Sequence, residues 1–246
     1  MRVLLPGLTL PVDDYARLVA LLPGPTVVFD TLASPITATT DEIRATLDLP
    51  DGRHELIGHS VGALAALEWA ARYPESVSRV VLLDPTDPYG EQVPAWMGGR
   101  AGRCIVAVVG ALARSRRIAR ALGRRGRRSV LGLYGVVGDP LSPTRVDELF
   151  GTREALAVVA AQVTGMPAQV ARVRALVDSG FTPPTILVIA AREGESADRR
   201  VIAELAARLA TTVVETPGQH LFPMTHPEAT ATLLNSYTGN GHQRGI

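Results

Sequence analysis

Short apolar runs alternate with segments of helical hydrophobic spacing along most of this chain. Six runs are predicted to be strands, at 2–5, 25–29, 54–58, 78–83, 185–190 and 211–215. Helical spacing predicts helices at 12–22, 40–49, 61–73, 198–209 and 227–237. Because nearly wholly apolar strands are buried on both faces, the alternation predicts an α/β fold with about six mostly parallel strands and helices on both sides.

This alternation of strands and helices stops between about residues 87 and 183. The stretch is helical in character and contains no predicted strand. We therefore predict a core formed by residues 1–86 and 184–246, with residues 87–183 inserted as a helical cap or lid.

One pentapeptide carries the clearest chemical signal. Gly58-His59-Ser60-Val61-Gly62 matches G-x-S-x-G, with a predicted strand before it and a predicted helix after it. In this setting the glycines leave room for a tight bend and for close approach of the helix to the strand. The bend would expose the Ser60 hydroxyl at a helix N-terminus, where N–H groups favour negative charge. The pattern therefore predicts that Ser60 is a nucleophile.

A serine hydroxyl needs a base to take its proton, and the chain has five histidines. His220 follows the last predicted strand, after Gly218, in a loop that returns to the carboxyl edge of the sheet where Ser60 also points. We predict His220 as the base. The others, His54, His59, His226 and His242, are interpreted as structural or solvated.

Composition indicates the cellular compartment and limits the kinds of site that the protein could contain. The 246 residues include one cysteine, Cys104, so no disulfide framework and no cysteine-based metal site is expected. No apolar stretch approaches the roughly 18–20 residues of a membrane span, and the N-terminus does not resemble a secretory signal. We expect a cytoplasmic protein without a transmembrane segment, metal or cofactor.

The basic residues are unevenly distributed. All 25 are arginine, and the segment from Gln92 to Gly138 contains ten of them and no acidic residue. Eight arginines between Arg114 and Arg128 fall in one half of a helical wheel, with Ile118 among the apolar residues of the other half. One interpretation is a cap helix with its apolar side on the active site and its arginines in water. The other is a docking face for an anionic partner or a membrane surface. Nucleic acid is not expected, because few aromatic residues interleave with the basic ones.

Several motifs together resemble the α/β-hydrolase family over nearly the whole chain. They are L-L-P-G-L near the start, G-H-S-V-G, R-V-V-L-L-D-P, I-L-V-I-A-A and P-G-Q-H-L-F-P-M-T-H-P-E. The resemblance implies that the first two strands of the full fold are absent. It also implies an oxyanion hole formed by the backbone N–H groups of Leu8 and Val61. Family members usually have His-Gly before this position, whereas Pro6-Gly7 stands here.

The acid of the expected catalytic triad has two candidate places. Family members usually carry it after the penultimate strand, but there the alignment puts Gly194, flanked by Glu193 and Glu195. Some members, such as haloalkane dehalogenases and certain macrolide lactonases, carry it after the strand that follows the nucleophile helix. Asp84 occupies that second place, 24 residues after Ser60. We favour Asp84 and keep Glu193 and Glu195 as alternatives.

These predictions together indicate a metal-free serine hydrolase that cleaves a small carboxylic ester or lactone through an acyl-enzyme. Ser60 would attack, His220 would move the proton, and Asp84 would orient His220. One alternative is a thioesterase, or an acyltransferase or cyclase acting on a carrier- or CoA-bound acyl group. An alternative of another class is a non-catalytic protein that keeps the fold as a ligand pocket.

Overall fold

The fold was analysed in a computed structural model that describes residues 1–90, 99–183, 185–193 and 196–237. These residues contain one six-stranded sheet of order β2-β1-β3-β4-β5-β6, and every neighbouring pair of strands is parallel. The strands are β1 Arg2–Leu5, β2 Thr26–Val28, β3 His54–His59, β4 Val77–Leu83, β5 Ile186–Ala191 and β6 Val213–Thr216. The predicted α/β class and the six parallel strands are therefore confirmed.

Helices flank this sheet and fill the segment between β4 and β5. They are α1 Ala16–Leu21, α2 Thr40–Ala45, α3 Val61–Arg72, α4 Gly99–Leu112, α5 Arg116–Leu133, α6 Pro143–Phe150, α7 Arg153–Asp178, α8 Ser196–Arg208, α9 Phe222–Thr225 and α10 Pro227–Ser236. Helix α2 ends earlier than its predicted end near residue 49, and a 3-10 turn, Val12–Tyr15, precedes α1. In the part of the chain described, no helix is long and apolar enough to cross a membrane.

The strands bury both faces, and successive residues serve two separate cores. In β4, Val80 and Leu82 join the core that contains α3, whereas Val81 and Leu83 join the core beneath α1 and α10. Strand β3 divides in the same way, with Leu56 on the first side and Ile57 on the second. This alternation explains why successive residues in the middle of these strands are apolar, since each face of the pleat is covered by helices.

Helix α7 links the predicted cap to the core. Its Val173 and Val177 are buried in the same core as α3, and its Arg172 pairs with the buried Glu68 of α3 at 2.9 Å. The buried Gln162 of α7 donates to the Thr31 carbonyl at 2.7 Å and accepts from the Thr9 N–H at 3.3 Å. The boundaries 87–183 stay a prediction for the cap, and the C-terminal half of α7 packs with the core.

The arginine-rich segment does not form the single continuous helix that its sequence pattern predicts. Helix α4 ends at Leu112 and α5 begins at Arg116, so the segment forms two helices with a break between them. The prediction that all eight arginines share one outer face is wrong for Arg127, which is 3% exposed. Arg127 binds the buried Asp14 through two hydrogen bonds, of 2.5 and 2.7 Å, and also pairs with Asp139. Its guanidinium therefore fastens α5 to the core beside the 3-10 turn.

The two glycines of the G-x-S-x-G segment allow close packing of backbone against backbone. A Cβ added to Gly62 would lie 2.0 Å from the Leu5 carbonyl oxygen and 2.5 Å from that of Pro6. A Cβ added to Gly58 would lie 2.5 Å from the Ala63 Cα. Helix α3 therefore lies directly against the end of β1, and no side chain fits between them.

Substituting Gly62 with alanine should destabilise the fold by about 3 kcal/mol or more, because the backbone that the new methyl group meets cannot move aside as a side chain could. The matched control is Gly126→Ala on α5, where an added Cβ meets nothing within 4 Å. That change should stabilise by up to about 1 kcal/mol, since alanine favours a helix over glycine. Urea unfolding of both variants measures the difference, and equal midpoints would contradict this account of the turn.

Candidate active site

Ser60 lies on a strained turn between β3 and α3. Its backbone has φ 54° and ψ −120°, a combination that costs a non-glycine residue about 1–3 kcal/mol. The turn is held on both sides by backbone hydrogen bonds. The Ser60 N–H donates to the Leu83 carbonyl at 3.0 Å, and the Thr86 N–H donates to the Ser60 carbonyl at 3.2 Å. The end of β4 and the loop after it therefore keep the Ser60 side chain at the carboxyl edge of the sheet.

His220 and Asp84 reach the same edge from two other loops. His220 follows β6, and its Nε2 lies 3.0 Å from the Ser60 Oγ. Its Nδ1 lies 2.5 Å from the Asp84 Oδ2. A carboxylate only accepts hydrogen bonds, so Nδ1 carries the proton and Nε2 is left to accept from the serine hydroxyl. The three side chains form one hydrogen-bonded chain from carboxylate to hydroxyl.

The Asp84 carboxylate is held by the backbone of β5 as well as by His220. Its Oδ1 accepts from the Ala191 N–H at 2.9 Å, and its own N–H donates to the Ile189 carbonyl at 2.7 Å. Its φ of 43° marks a second left-handed residue at this edge. Both carboxylate oxygens therefore have partners, and the group has one orientation.

The alternative acids are not brought to His220 in the same way. Glu193 is exposed on the wall of the pocket described below, and within the described residues its side chain makes no hydrogen bond to His220. Glu195 and Gly194 lie outside the described residues. Of Asp84 and Glu193, the two candidate acids among the described residues, only Asp84 lies within hydrogen-bonding distance of the His220 imidazole.

The loop after β1 lies against the serine. A Cβ added to Gly7 would be 3.3 Å from the Ser60 Cβ, so this backbone passes directly beside it. Pro6 has no N–H, and the Gly7 N–H donates to the Tyr15 hydroxyl at 3.0 Å. The N–H groups of Leu8 and Val61 donate no hydrogen bond to any residue that the structure describes. These two N–H groups therefore remain available to another acceptor.

A buried relay of hydrogen bonds joins this loop to His220. The Tyr15 hydroxyl accepts from Gly7 and donates to the His59 Nδ1 at 2.6 Å, and the His59 Nε2 donates to the His220 carbonyl at 2.9 Å. The carbonyl can only accept, which places the imidazole proton on Nε2 and makes Nδ1 the acceptor. His59, interpreted from sequence as structural or solvated, therefore ties together the two loops on either side of the serine.

The relay depends on a neutral His59. Burial, together with the nearby charge of His220, lowers the pKa of His59 to about 3, because a buried imidazolium would lose its hydration. Burial also holds the pKa of Tyr15 well above its usual range, so its hydroxyl remains a donor. The relay therefore keeps one pattern of donors and acceptors around neutral pH.

A pocket of about 420 Å³ opens over the three side chains. Tyr134, at the end of α5, lies over His220 with 4.3 Å between ring centroids, and Leu133 beside it forms part of the wall. The Thr86 hydroxyl lies 3.4 Å from the Ser60 Oγ. Charged groups on the wall are Asp87, Glu193 and Arg199. Among the described residues, no group of three or more His, Cys, Asp or Glu side chains could hold a metal ion.

Sequence reasoning missed three parts of this site. Thr86 could have been found, because it follows Asp84 by two residues on the same loop. From the sequence, Tyr134 is expected only to line or pack the cap, together with Trp96, Met97, Phe150 and Met166; of these, Trp96 and Met97 lie outside the described residues. Tyr15 gives no signal in the sequence, since it is 44 residues from His59.

Acid should weaken the fold through His59. The folded pKa of about 3 lies below the ordinary 6.5, so between these values the unfolded chain binds a proton that the folded chain does not. The contribution of the neutral His59 to the free energy of unfolding is therefore fully present above pH 6.5 and is lost as the pH falls toward 3. The loss from this group between pH 7 and pH 5 is about 2 kcal/mol.

Urea unfolding at pH 7 and pH 5 tests this effect. His59→Gln keeps a side-chain donor and removes the titrating ring, so its loss between the two pH values should be about 2 kcal/mol smaller. The exposed His226→Gln is the matched control and should lose as much as the native chain. If the His59 variant also loses as much, the acid sensitivity does not come from this relay.

Comparison with solved structures supports the same fold. Cfl2 wild-type from Burkholderia cenocepacia is 23% identical with a TM-score of 0.61, and the match covers 96% of this chain and 87% of that one. Haloalkane dehalogenase DbeA-M1 loop variant from Bradyrhizobium elkanii is 16% identical with a TM-score of 0.64, covering 96% and 88%. Est816, described as an N-acyl homoserine lactone degrading enzyme, is 17% identical with a TM-score of 0.60, covering 96% and 92%. At these identities the likeness is one of fold.

A search of curated proteins found no match to this sequence. A comparison with family models, by contrast, identifies a family. The model of the alpha/beta hydrolase family matches residues 3–233, which include most of β1, the loop after it, the serine turn and the loop that carries His220. This match spans nearly the whole chain, and the parallel sheet has the order and connections described above. The chain therefore belongs to the α/β-hydrolase family, and its chemistry is that of a hydrolase.

Proposed function

We propose that this protein hydrolyses a neutral carboxylic ester or lactone through a covalent acyl-enzyme on Ser60. The observation that carries the proposal is the hydrogen-bonded chain from Asp84 through His220 to Ser60, with contacts of 2.5 and 3.0 Å. A serine hydroxyl becomes a nucleophile when a base of this kind takes its proton. The proton positions assigned from the partners match that task, because the free nitrogen of His220 faces the hydroxyl.

The first half of the reaction forms the acyl-enzyme. The Ser60 Oγ bonds to the substrate carbonyl carbon while its proton passes to the His220 Nε2. The carbonyl oxygen becomes an oxyanion, which the N–H groups of Leu8 and Val61 would bind. Asp84 stabilises the imidazolium and keeps its Nδ1–H in place. When the tetrahedral intermediate collapses, the bond to the leaving oxygen breaks, and that oxygen takes the proton from Nε2.

The second half returns the enzyme to its starting state. A water molecule gives its proton to the His220 Nε2 and bonds to the acyl carbon, which again forms an oxyanion. Collapse then breaks the bond to Ser60, whose Oγ takes the proton back, and the carboxylic acid leaves. With a lactone, the leaving alcohol stays attached to the acid, so one open-chain hydroxy acid is the product.

The charges of the pocket favour a neutral substrate over a CoA thioester. Besides the Asp84 carboxylate, the wall carries two acids, Asp87 and Glu193, and one base, Arg199. This balance would repel a ligand with several phosphate charges. Est816 degrades a lactone on the same fold, which supports including lactones among the substrates to test.

The serine should react with a small alkyl fluorophosphonate. We expect one adduct per native chain by intact mass and none on Ser60→Ala, because the reagent requires a hydroxyl that a neighbouring base activates. Circular dichroism checks that the variant is folded. If the adduct forms, unlabelled native chain would then be assayed against a panel of esters and lactones.

The absence of any adduct on the folded native chain would contradict the proposal and favour the binding-protein alternative. Transfer of the acyl group to an alcohol or amine in place of water, detected among the products, would instead assign the acyltransferase alternative.

Asp84 and Glu193 can be separated as candidate acids by the rate of this labelling. Asp84→Asn should slow it by about 10³-fold or more, since the amide no longer selects the Nδ1–H tautomer of His220. The matched control Glu193→Gln removes a charge from the same pocket and should leave the rate nearly unchanged. The reverse result would assign the role to Glu193.

A further inference from the structure

We propose that the outer side of α4 and α5 binds the surface of an anionic lipid bilayer. We call this side the docking face. It is defined by five exposed arginines, Arg114, Arg116, Arg117, Arg125 and Arg128, and by the exposed aliphatic residues Val108, Leu112, Ile118, Leu133 and Val137.

The arginines of the docking face are not neutralised by the protein. None of the five forms an ion pair within the described residues, whereas the neighbouring Arg120 and Arg124 share Asp147. The sequence from Gln92 to Gly138 has no carboxylate at all, and Asp139, the first one after it, is bound by the buried Arg127. The face therefore presents several uncompensated positive charges, which complement a negatively charged surface.

Two of these arginines stand where the helix itself disfavours them. Arg116 and Arg117 lie in the first turn of α5, which contains no acidic residue and has no side-chain cap from Ser115. The N-terminus of a helix carries partial positive charge, so arginines here reduce the stability of the free helix. An anionic surface against this turn would convert that unfavourable contact into a favourable one.

The apolar residues of the docking face distinguish a bilayer from a soluble polyanion. Five of the eight large hydrophobic residues exposed in the described part of the chain lie on this face. Leu133 is 75% exposed and Val137 fully exposed. Aliphatic side chains among arginines suit a lipid interface, where arginines bind headgroups and aliphatic groups enter the acyl boundary. Protein interfaces favour aromatic residues at their centres, and the exposed residues here are all aliphatic.

The docking face has a firm support and continues to the active site. Arg127 fastens α5 to the buried Asp14, so the exposed arginines on the same helix sit on a fixed base. Leu133, at the other end of α5, also lines the pocket that contains Ser60. Docking would therefore bring the pocket mouth close to the lipid surface. This last step rests on the proposed function and extends it to esters that partition into a membrane.

Vesicle sedimentation tests the docking face. Ser60→Ala chain is mixed with vesicles of phosphatidylcholine alone, or of phosphatidylcholine with phosphatidylglycerol, at low and at physiological salt. We expect binding to the anionic vesicles, weakened by salt, and little binding to the neutral ones. Replacing Arg117, Arg125 and Arg128 together with glutamine should weaken binding by about 100-fold, given the usual contribution of each basic residue.

Two further variants decide between a bilayer and general attraction of charge. A control with Arg72, Arg192 and Arg200 replaced by glutamine removes the same charge from exposed sites outside the docking face, and should bind nearly as well as the parent chain. Leu112→Ser with Ile118→Ser keeps every charge and should weaken binding at least tenfold, since the aliphatic contacts are lost.

Some results would overturn the proposal. They are no binding to anionic vesicles at low salt, an equal loss in the control variant, or no effect of the two serine substitutions. Binding to polyglutamate in preference to vesicles would assign the face to an acidic protein and also overturn it. Fluorophosphonate labelling of Ser60 does not require vesicles, so failure of docking and failure of the proposed hydrolysis remain distinguishable.

Discussion

The close packing of α3 against the end of β1 is the constraint on which the site depends. With no side chain at Gly62, the helix rests on the carbonyls of Leu5 and Pro6, and this contact fixes where the serine turn and the loop after β1 meet. The strained backbone of Ser60 persists because hydrogen bonds to Leu83 and Thr86 hold it on the opposite side. The serine turn and the loop after β1 are thus positioned by backbone contacts within the core, and side chains elsewhere on the pocket wall can change without moving them.

The positions of the base and the acid follow from the same parallel sheet. Because every strand runs in one direction, the loops after β3, β4 and β6 all emerge at one edge, and each delivers one member of the hydrogen-bonded chain. The buried relay from Gly7 through Tyr15 and His59 adds a connection beneath this edge. It couples the loop after β1 to the loop that carries His220, so a displacement of one loop would shift the other. Its low-dielectric setting keeps the relay strong and makes a charge within it costly.

The cap region is organised by electrostatics as much as by apolar packing. Arg127 is buried, pairs with the buried Asp14 and with Asp139, and anchors α5. On the same helix Arg116, Arg117, Arg125 and Arg128 are exposed and form no ion pair within the described residues. Removing one partner of such a buried ion pair would leave the other charge buried and uncompensated. Neither Arg127 nor Asp14 can therefore be replaced alone without a large cost in stability. The exposed, unpaired arginines of α5 are not constrained in this way. Arg127 therefore has a structural role, whereas these arginines can contact another surface.

Sequence alone determined the α/β class, the six strands and the residues of the serine turn, because apolar runs, glycine spacing and helix periodicity are local properties. The acid could be narrowed to two places but was not decided, since Asp84 and Glu193 both follow strands, and only the tertiary structure shows which carboxylate reaches His220. Local sequence patterns could not predict the relay through Tyr15 or the burial of Arg127 for the same reason. Tyr15 meets His59 across 44 residues and Arg127 meets Asp14 across 113, so these contacts exist only once the chain has folded.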